Sequence, residues 1–249
     1  MTFPSNPTIA LPPLIHGIVG STKTSDAPTV TEIINEEPEE LYTPWRLAIY
    51  DFWVLGFVNT YAWGCPTTTY LLPLFRSNVR HNHLDVGVGT GYYLDPSSVP
   101  ASTRLTLVDS EARALAVAKV RSRQPDANAV VADVLVPLPL EDKFDSVSMY
   151  YLLHCIPASV PEKCRVFALL KERMAPDGVL TGANVLGKGV ARDNRFGAFV
   201  RKGCTNHGIF HNKEDNAFEF EKALRDNFNK VETWVVGSVF IFRAEGPKK

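Results

Sequence analysis

The chain has 249 residues, 45% of them hydrophobic and 21% charged, enough for one globular domain with a substantial core. Its formal charge of −1, with Lys and Arg dispersed, leaves no electrostatic footprint for a polyanion, so no nucleic-acid partner is expected. Cys65, Cys155, Cys164 and Cys204 form no CxxC pair, which argues against a zinc knuckle or a disulfide framework.

Residues 1–40 read as an irregular arm, punctuated by prolines and then carboxylate-rich (Glu32, Glu36, Glu37, Glu39, Glu40). The opening residues are apolar, but prolines interrupt them and no cation precedes Lys23, so they do not read as a signal peptide. No run approaches the roughly 18 apolar residues of a membrane span, and a cytoplasmic protein is expected. Residues 41–80 read as a helical cap. Pro44 to about Val58 predicts a helix, with Thr43 as N-cap and Pro44 in the first turn. Its sequence, WRLAIYDFWVLGFVN, is apolar almost all round, which predicts burial or a cavity wall. Beyond Pro66, TTTYLLPLFRSN predicts a second helix.

Residues 81–249 change pattern. HLDVGV, LTLVD, ANAVVAD, FDSVSMYYLLH and GVLTGANV read as strands, and EARALAVAKVRSR and PEKCRVFALLKERM as helices between them. That alternation predicts a parallel sheet with helices on both faces. KVETWVVGSVFIFRAE differs: two residues, Gly237 and Ser238, cannot carry a parallel crossover, so its two strands must form an antiparallel hairpin. An insert at about 187–216 precedes it.

The strongest motif is LDVGVGTG, residues 84–91. Gly87, Gly89 and Gly91 follow a strand at alternate positions, where glycine lets the backbone approach a ligand and adopt positive φ. A nicotinamide or flavin fingerprint, GxGxxG, would need its third glycine at Tyr92. The pattern is instead DxGxGxG, suited to a ligand without phosphate but with an amino-acid tail, whose ammonium Asp85 would face. Asp109 at the second strand's tip suits two ribose hydroxyls. Asp133 at the third suits an adenine amino group, with the Val134 backbone serving a ring nitrogen. A lone strand-end Asp is often only a turn former; three on successive strands converge beyond the carboxyl ends of the sheet.

Residues 83–186 resemble the motif series of class I S-adenosylmethionine-dependent methyltransferases: HLDVGVGTG, LTLVDSE, VVADV, then FDSVSMYYLLHCIP. More narrowly, YDFWVLGFVNTYAWGCPT and LLHCIP resemble small fungal methyltransferases that decorate polyketides. The resemblance implies a Rossmann-like α/β fold of seven strands, order 3-2-1-4-5-7-6, and S-adenosyl-L-methionine as cofactor, released as S-adenosyl-L-homocysteine. It implies O-methylation of a small enol or phenol such as a hydroxypyrone, by a monomer or homodimer. It adds Ser110, Tyr150, Tyr50 and Thr67 to the cofactor contacts.

On the acceptor side, His154 follows the fourth strand and can accept a proton near neutral pH, so it is the expected general base or acceptor orienter. A loop histidine bonded to backbone is the plainer reading. Tyr151 and the aromatic cluster Tyr50, Trp53, Phe57, Tyr61 and Trp63 are expected to wall the acceptor pocket, although such stripes are often core. His207, Phe210 and His211 of the insert are further candidates; no HExxH-like pattern supports a metal. The rivals are a cyclase that binds S-adenosylmethionine without transferring methyl, and a protein or RNA methyltransferase. The loop MYYLLHCIP lacks the Asn/Asp-Pro-Pro-Tyr pattern that marks many amino-group modifiers.

Overall fold

The computed structural model describes residues 51–190 and 194–249. The sheet strands are β1 (Asn82–Val86), β2 (Arg104–Asp109), β3 (Asn128–Val131), β4 (Phe144–Tyr150), β5 (Met174–Val185), β6 (Phe228–Val236) and β7 (Val239–Pro247). They lie in the order β3-β2-β1-β4-β5-β7-β6. The first five are parallel, and β7 runs antiparallel to both β5 and β6. Gly237, at φ 59°, makes the turn of the terminal hairpin.

Alternation along the strands divides the core in two. Leu84, Val86, Val147, Met149, Phe240 and Phe242 face one side, where α3 (Val160–Lys171) and α5 (Ala217–Asn227) cover them with Phe167, Leu170, Phe220 and Leu224. Leu105, Leu107, Ala183 and Ile241 face the other, under Leu71 and Phe75 of α1 (Leu71–Asn78) and Leu115 and Ala118 of α2 (Ala112–Ser122). This is the two-layer cover that an α/β sheet needs on each face. No helix among the described residues is long and apolar enough to cross a membrane.

Three local expectations need correction. The segment expected as an α-helix from Pro44 to Val58 is, in its described part, a π-helix over Asp51–Ala62. At its end the Trp63 N–H donates to Val58 O, five residues back, and the Thr60 hydroxyl donates to Gly56 O. That side chain competes for a carbonyl an α-helical ladder would use. Second, the glycine loop, which reads in sequence as a strand-to-helix turn, enters only a single 3₁₀ turn, Tyr92–Leu94, before the chain returns to β2. Third, β3 stops at Val131, so Asp133 stands two residues beyond the strand rather than at its tip.

Inside the 187–216 insert lies α4 (Arg195–Asn206). The helix α5 was not anticipated. Asn216 caps it by accepting the Glu219 N–H at 3.0 Å, and Phe220 and Leu224 present one apolar face at i and i+4 spacing. Phe220 is fully buried, 6.0 Å from the Phe240 ring and 6.2 Å from Phe167. Phe220→Ala is expected to cost about 3–5 kcal/mol, seen in urea titration as a lower midpoint with an unchanged slope.

Candidate functional site

The site begins with Asp85, which alternation turns toward the α1 face of the sheet and burial cuts off from water. Its register partner on β4 is Ser148, whose hydroxyl donates to the Asp85 carboxylate. Behind it, His83 Nε2 meets Ser148 Oγ at 2.9 Å and Nδ1 meets Ser146 Oγ at 2.7 Å, while the Arg80 N–H donates to Ser146 at 2.9 Å. An ionised carboxylate can only accept, which fixes the direction of the whole chain. Ser148 gives its proton to Asp85, His83 gives Nε2–H to Ser148, and Ser146 gives its proton to Nδ1. Burial holds His83 neutral, its pKa pushed down to about 3. Burial also pushes the Asp85 pKa up to about 7, against the Ser148 hydrogen bond, and the nearby Asp109 charge adds to the rise.

The three glycines all have positive φ (71°, 51° and 67°), but their surroundings differ. A Cβ on Gly87 would strike the Leu152 side chain at 2.7 Å, and one on Gly91 would come within 2.7 Å of Ala118 Cα in α2. A Cβ on Gly89 would meet nothing within 4 Å. Gly91 is thus explained by helix packing, whereas Gly89 borders the open space at the strand ends. Asp109 ties that loop down: its carboxylate accepts the Gly89 N–H at 3.2 Å and the Glu111 N–H at 3.0 Å. A buried carboxylate, a second carboxylate on the next strand and an unfilled glycine cradle fit an adenosyl amino-acid ligand. Asp133 is exposed and its carboxylate accepts the Leu135 N–H at 2.9 Å, the turn-forming role; the neighbouring Val134 is buried and Ser110 exposed.

The acceptor side is aromatic. Tyr150 ends β4 and stacks on Tyr93 at 4.5 Å. Tyr151 follows at φ 60°, a left-handed conformation costing a non-glycine residue roughly 1–2 kcal/mol, held by its N–H on Ala183 O at 2.7 Å. Its ring meets His154 edge-on at 5.7 Å. His154 in turn meets Phe210 at 4.5 Å, and Phe210 meets Trp63 at 5.7 Å. The hydroxyls of Tyr93 and Tyr151 are buried without a hydrogen-bond partner. His154 sits in a short 3₁₀ turn, with its Nδ1 at 3.0 Å from Asn184 Oδ1, and burial pushes its pKa down to about 4.

The sequence-predicted residues Asp85, Gly87, Gly89, Asp109, Tyr150, Tyr151, His154 and Phe210 are therefore brought to the carboxyl end of the sheet or its aromatic wall. Others are not. Tyr61 is 59% exposed, His207 is exposed at the end of α4, and His211 is exposed with its ring on Gly208 O. Thr67 is buried, accepting a hydrogen bond from Asn59 at 2.8 Å. Tyr50 and the side chain of Trp53 lie outside the described residues. Among the described residues no three His, Cys, Asp or Glu side chains gather as a metal site. A concavity of about 570 Å³ lies at the amino ends of β1, β2 and β3, beside Arg104, Gln124 and Asn128, and Asp85 and Asp109 do not line it. Sequence reasoning passed over His83, Ser148 and Asn184. The first two share Asp85's face by alternation and could have been found that way.

Comparison with known proteins agrees with this geometry. A family model described as a methyltransferase domain matches residues 84–178. The O-methyltransferase adaD of Aspergillus niger is 58% identical over 223 residues, covering 86% of this chain and 90% of its own. The N-methyltransferase vrtF of Penicillium aethiopicum is 59% identical over 210 residues, covering 84% and 88%. Among solved structures, the N-methyltransferase NodS of Bradyrhizobium japonicum with S-adenosyl-L-homocysteine superposes with a TM-score of 0.52 at 15% identity, over 88% of this chain and 97% of that one.

Two expectations separate the loop's parts. Gly89→Val is expected to abolish S-adenosylhomocysteine binding in calorimetry while costing only about 1–2 kcal/mol of stability for its positive φ. Gly91→Ala is expected to cost about 2–4 kcal/mol by forcing α2 away. The Asp85 pKa of about 7 gives a pH dependence. A ligand ammonium favours the ionised form, so binding below pH 7 must expel a proton. Affinity for S-adenosylhomocysteine is expected to rise with pH by up to about tenfold per unit and to level off above pH 7. Calorimetry in buffers of different ionisation enthalpy would register the released proton.

Proposed function

Since this chain belongs to the class I S-adenosylmethionine-dependent methyltransferases, we propose that it methylates a hydroxyl of a small enol or phenol, of the hydroxypyrone or polyketide type. When bound, S-adenosylmethionine supplies a methyl group on a sulfonium and departs as the neutral thioether. Asp85 holds its ammonium, Asp109 its ribose, and the Gly89 loop leaves room for its tail. Asp133 and the Val134 backbone would serve the adenine.

The observation that carries the hydroxyl reading is the neutral His154 inside a wall of Tyr151, Phe210 and Trp63. Above about pH 4 it keeps a lone pair, so it accepts the acceptor's O–H and takes the proton as the oxygen bonds to the methyl carbon. Aromatic walls suit a reaction that loses positive charge at sulfur, and they exclude water from it. The buried hydroxyls of Tyr93 and Tyr151 offer donors to further acceptor oxygens.

The name of the Penicillium relative favours a second reading, N-methylation. An amine acceptor is cationic near neutral pH and would want a carboxylate beside it. The stretch Tyr150–Pro157 contains none, which supports the hydroxyl instead. Labelled S-adenosylmethionine offered with a panel of phenols, 4-hydroxypyrones and alkyl amines tests the choice. Transfer to the amines alone would overturn it. In the same assay His154→Gln is expected to lower turnover by about 10²–10⁴-fold while S-adenosylhomocysteine affinity stays within a factor of a few. Unchanged turnover would remove His154 from the chemistry.

A further inference from the structure

The most deeply buried charges of the described chain lie away from the cofactor loop. Lys163 of α3 is 0% exposed and Asp215, just before α5, is 1% exposed. They pair through both carboxylate oxygens, at 2.9 and 3.0 Å. Buried ion pairs of this kind contribute little to stability relative to apolar residues of the same size, so their presence calls for another reason. The pair does not stand alone. Asn184 Nδ2 of β5 donates to Asp215 Oδ2 at 3.2 Å, and Asn184 Oδ1 accepts both the His154 backbone N–H at 2.7 Å and the His154 ring at Nδ1, 3.0 Å away. The loop closes on itself: His211 N–H donates to His154 O at 2.7 Å, and Lys163 donates to His211 O at 2.9 Å.

We propose that Lys163 and Asp215, acting through Asn184, are positioning residues that hold His154 as the Nδ1–H tautomer with its Nε2 lone pair turned to the acceptor. This rests on the role given to His154 above. The logic is one of forced polarity. Asp215, charged and paired, can only accept, so it takes the amide nitrogen of Asn184 and bars the flipped orientation. The same orientation also satisfies the His154 backbone N–H, which can only donate. Oδ1 must then face the ring, and a neutral imidazole placed 3.0 Å from an amide oxygen must put its proton there. The Val185 N–H also approaches Nδ1, at 3.4 Å, and would prefer a lone pair. Its longer contact yields to the shorter one, since two lone pairs at 3.0 Å repel. Burial raises the Asp215 pKa above its ordinary range, against the hydrogen bond and charge of Lys163 and the Asn184 amide.

The tautomer can be read without any acceptor, by NMR of the full chain labelled with ¹⁵N-histidine at pH 7, His154 being identified by its absence from His154→Gln. Nδ1–H is expected in the parent chain, and an Nε2–H form or a mixture in Asn184→Leu. The double variant Lys163→Met with Asp215→Leu removes both charges together, which favours folding, and is expected to give the same mixture. On the phenol or hydroxypyrone that the parent methylates, both variants are expected to lose about 10- to 100-fold in kcat, with KM and cofactor affinity little changed. An Nε2–H tautomer in the parent would overturn both the relay and Nε2 as the base; variants that keep tautomer and kcat while His154→Gln is inactive would overturn the relay and leave His154 as base. Full turnover in His154→Gln would remove the base reading and the relay with it.

Discussion

Asp85 is a carboxylate sealed into the middle of a sheet, and the cofactor end of the molecule is arranged around keeping that group usable. Burial alone would neutralise it. Against this stands a line of hydrogen bonds, all pointing the same way, from the Arg80 amide through Ser146, His83 and Ser148 to the carboxylate. The line needs β1 and β4 to be neighbours in one register, with His83 opposite Ser146 and Asp85 opposite Ser148. The strand order and the chemistry of the strand tip are therefore one constraint. A one-residue slip of β4 would turn both serines toward the α3 face and leave Asp85 without its donor.

Two neutral histidines serve the two halves of the site in opposite senses. His83 donates from Nε2 to Ser148, whose hydroxyl donates on to Asp85. His154 is set to donate from Nδ1 and keep Nε2 for the acceptor. Both are stripped of water, and the pKa of each lies well below the ordinary value. Neither relies on a charged state that a shift of pH near neutrality would remove. The polarity each imidazole needs is supplied by its neighbours: serines on the sheet for one, an asparagine backed by an ion pair for the other.

Most of the fold was legible because it rests on short-range regularities. Short β-branched runs alternating with helical ones marked the strands, and the two-residue Gly237-Ser238 turn forced the hairpin that distinguishes this sheet. The positive-φ glycine loop, with Asp85 and Asp109 beside it at the strand ends, was also visible as a motif. What failed depends on competition that a residue string does not display. The Thr60 hydroxyl and an all-apolar segment gave a π-helix where apolar content alone suggested α. Asp133 spent its carboxylate on the Leu135 amide because β3 stopped early. The helix α5 had a capping Asn216 and an i, i+4 pair, but its Phe218 lies exposed and blurs the apolar stripe. Lys163 and Asp215 are 52 residues apart, and nothing local marks them as partners.

The tip of the terminal hairpin touches the bend at Trp63 and Gly64. Gly237 lies so close to the Trp63 carbonyl that a Cβ there would sit 1.9 Å from the oxygen, and the Ser238 N–H donates to that same carbonyl at 2.8 Å. Trp63 leads out of the π-helical segment and forms one panel of the aromatic wall through Phe210. The aromatic wall is consequently tied to the last two strands. A chimera that borrows the cap of one family member and the sheet of another has to transplant the Trp63–Gly64 bend together with the Gly237-Ser238 turn, as matching halves of one clasp.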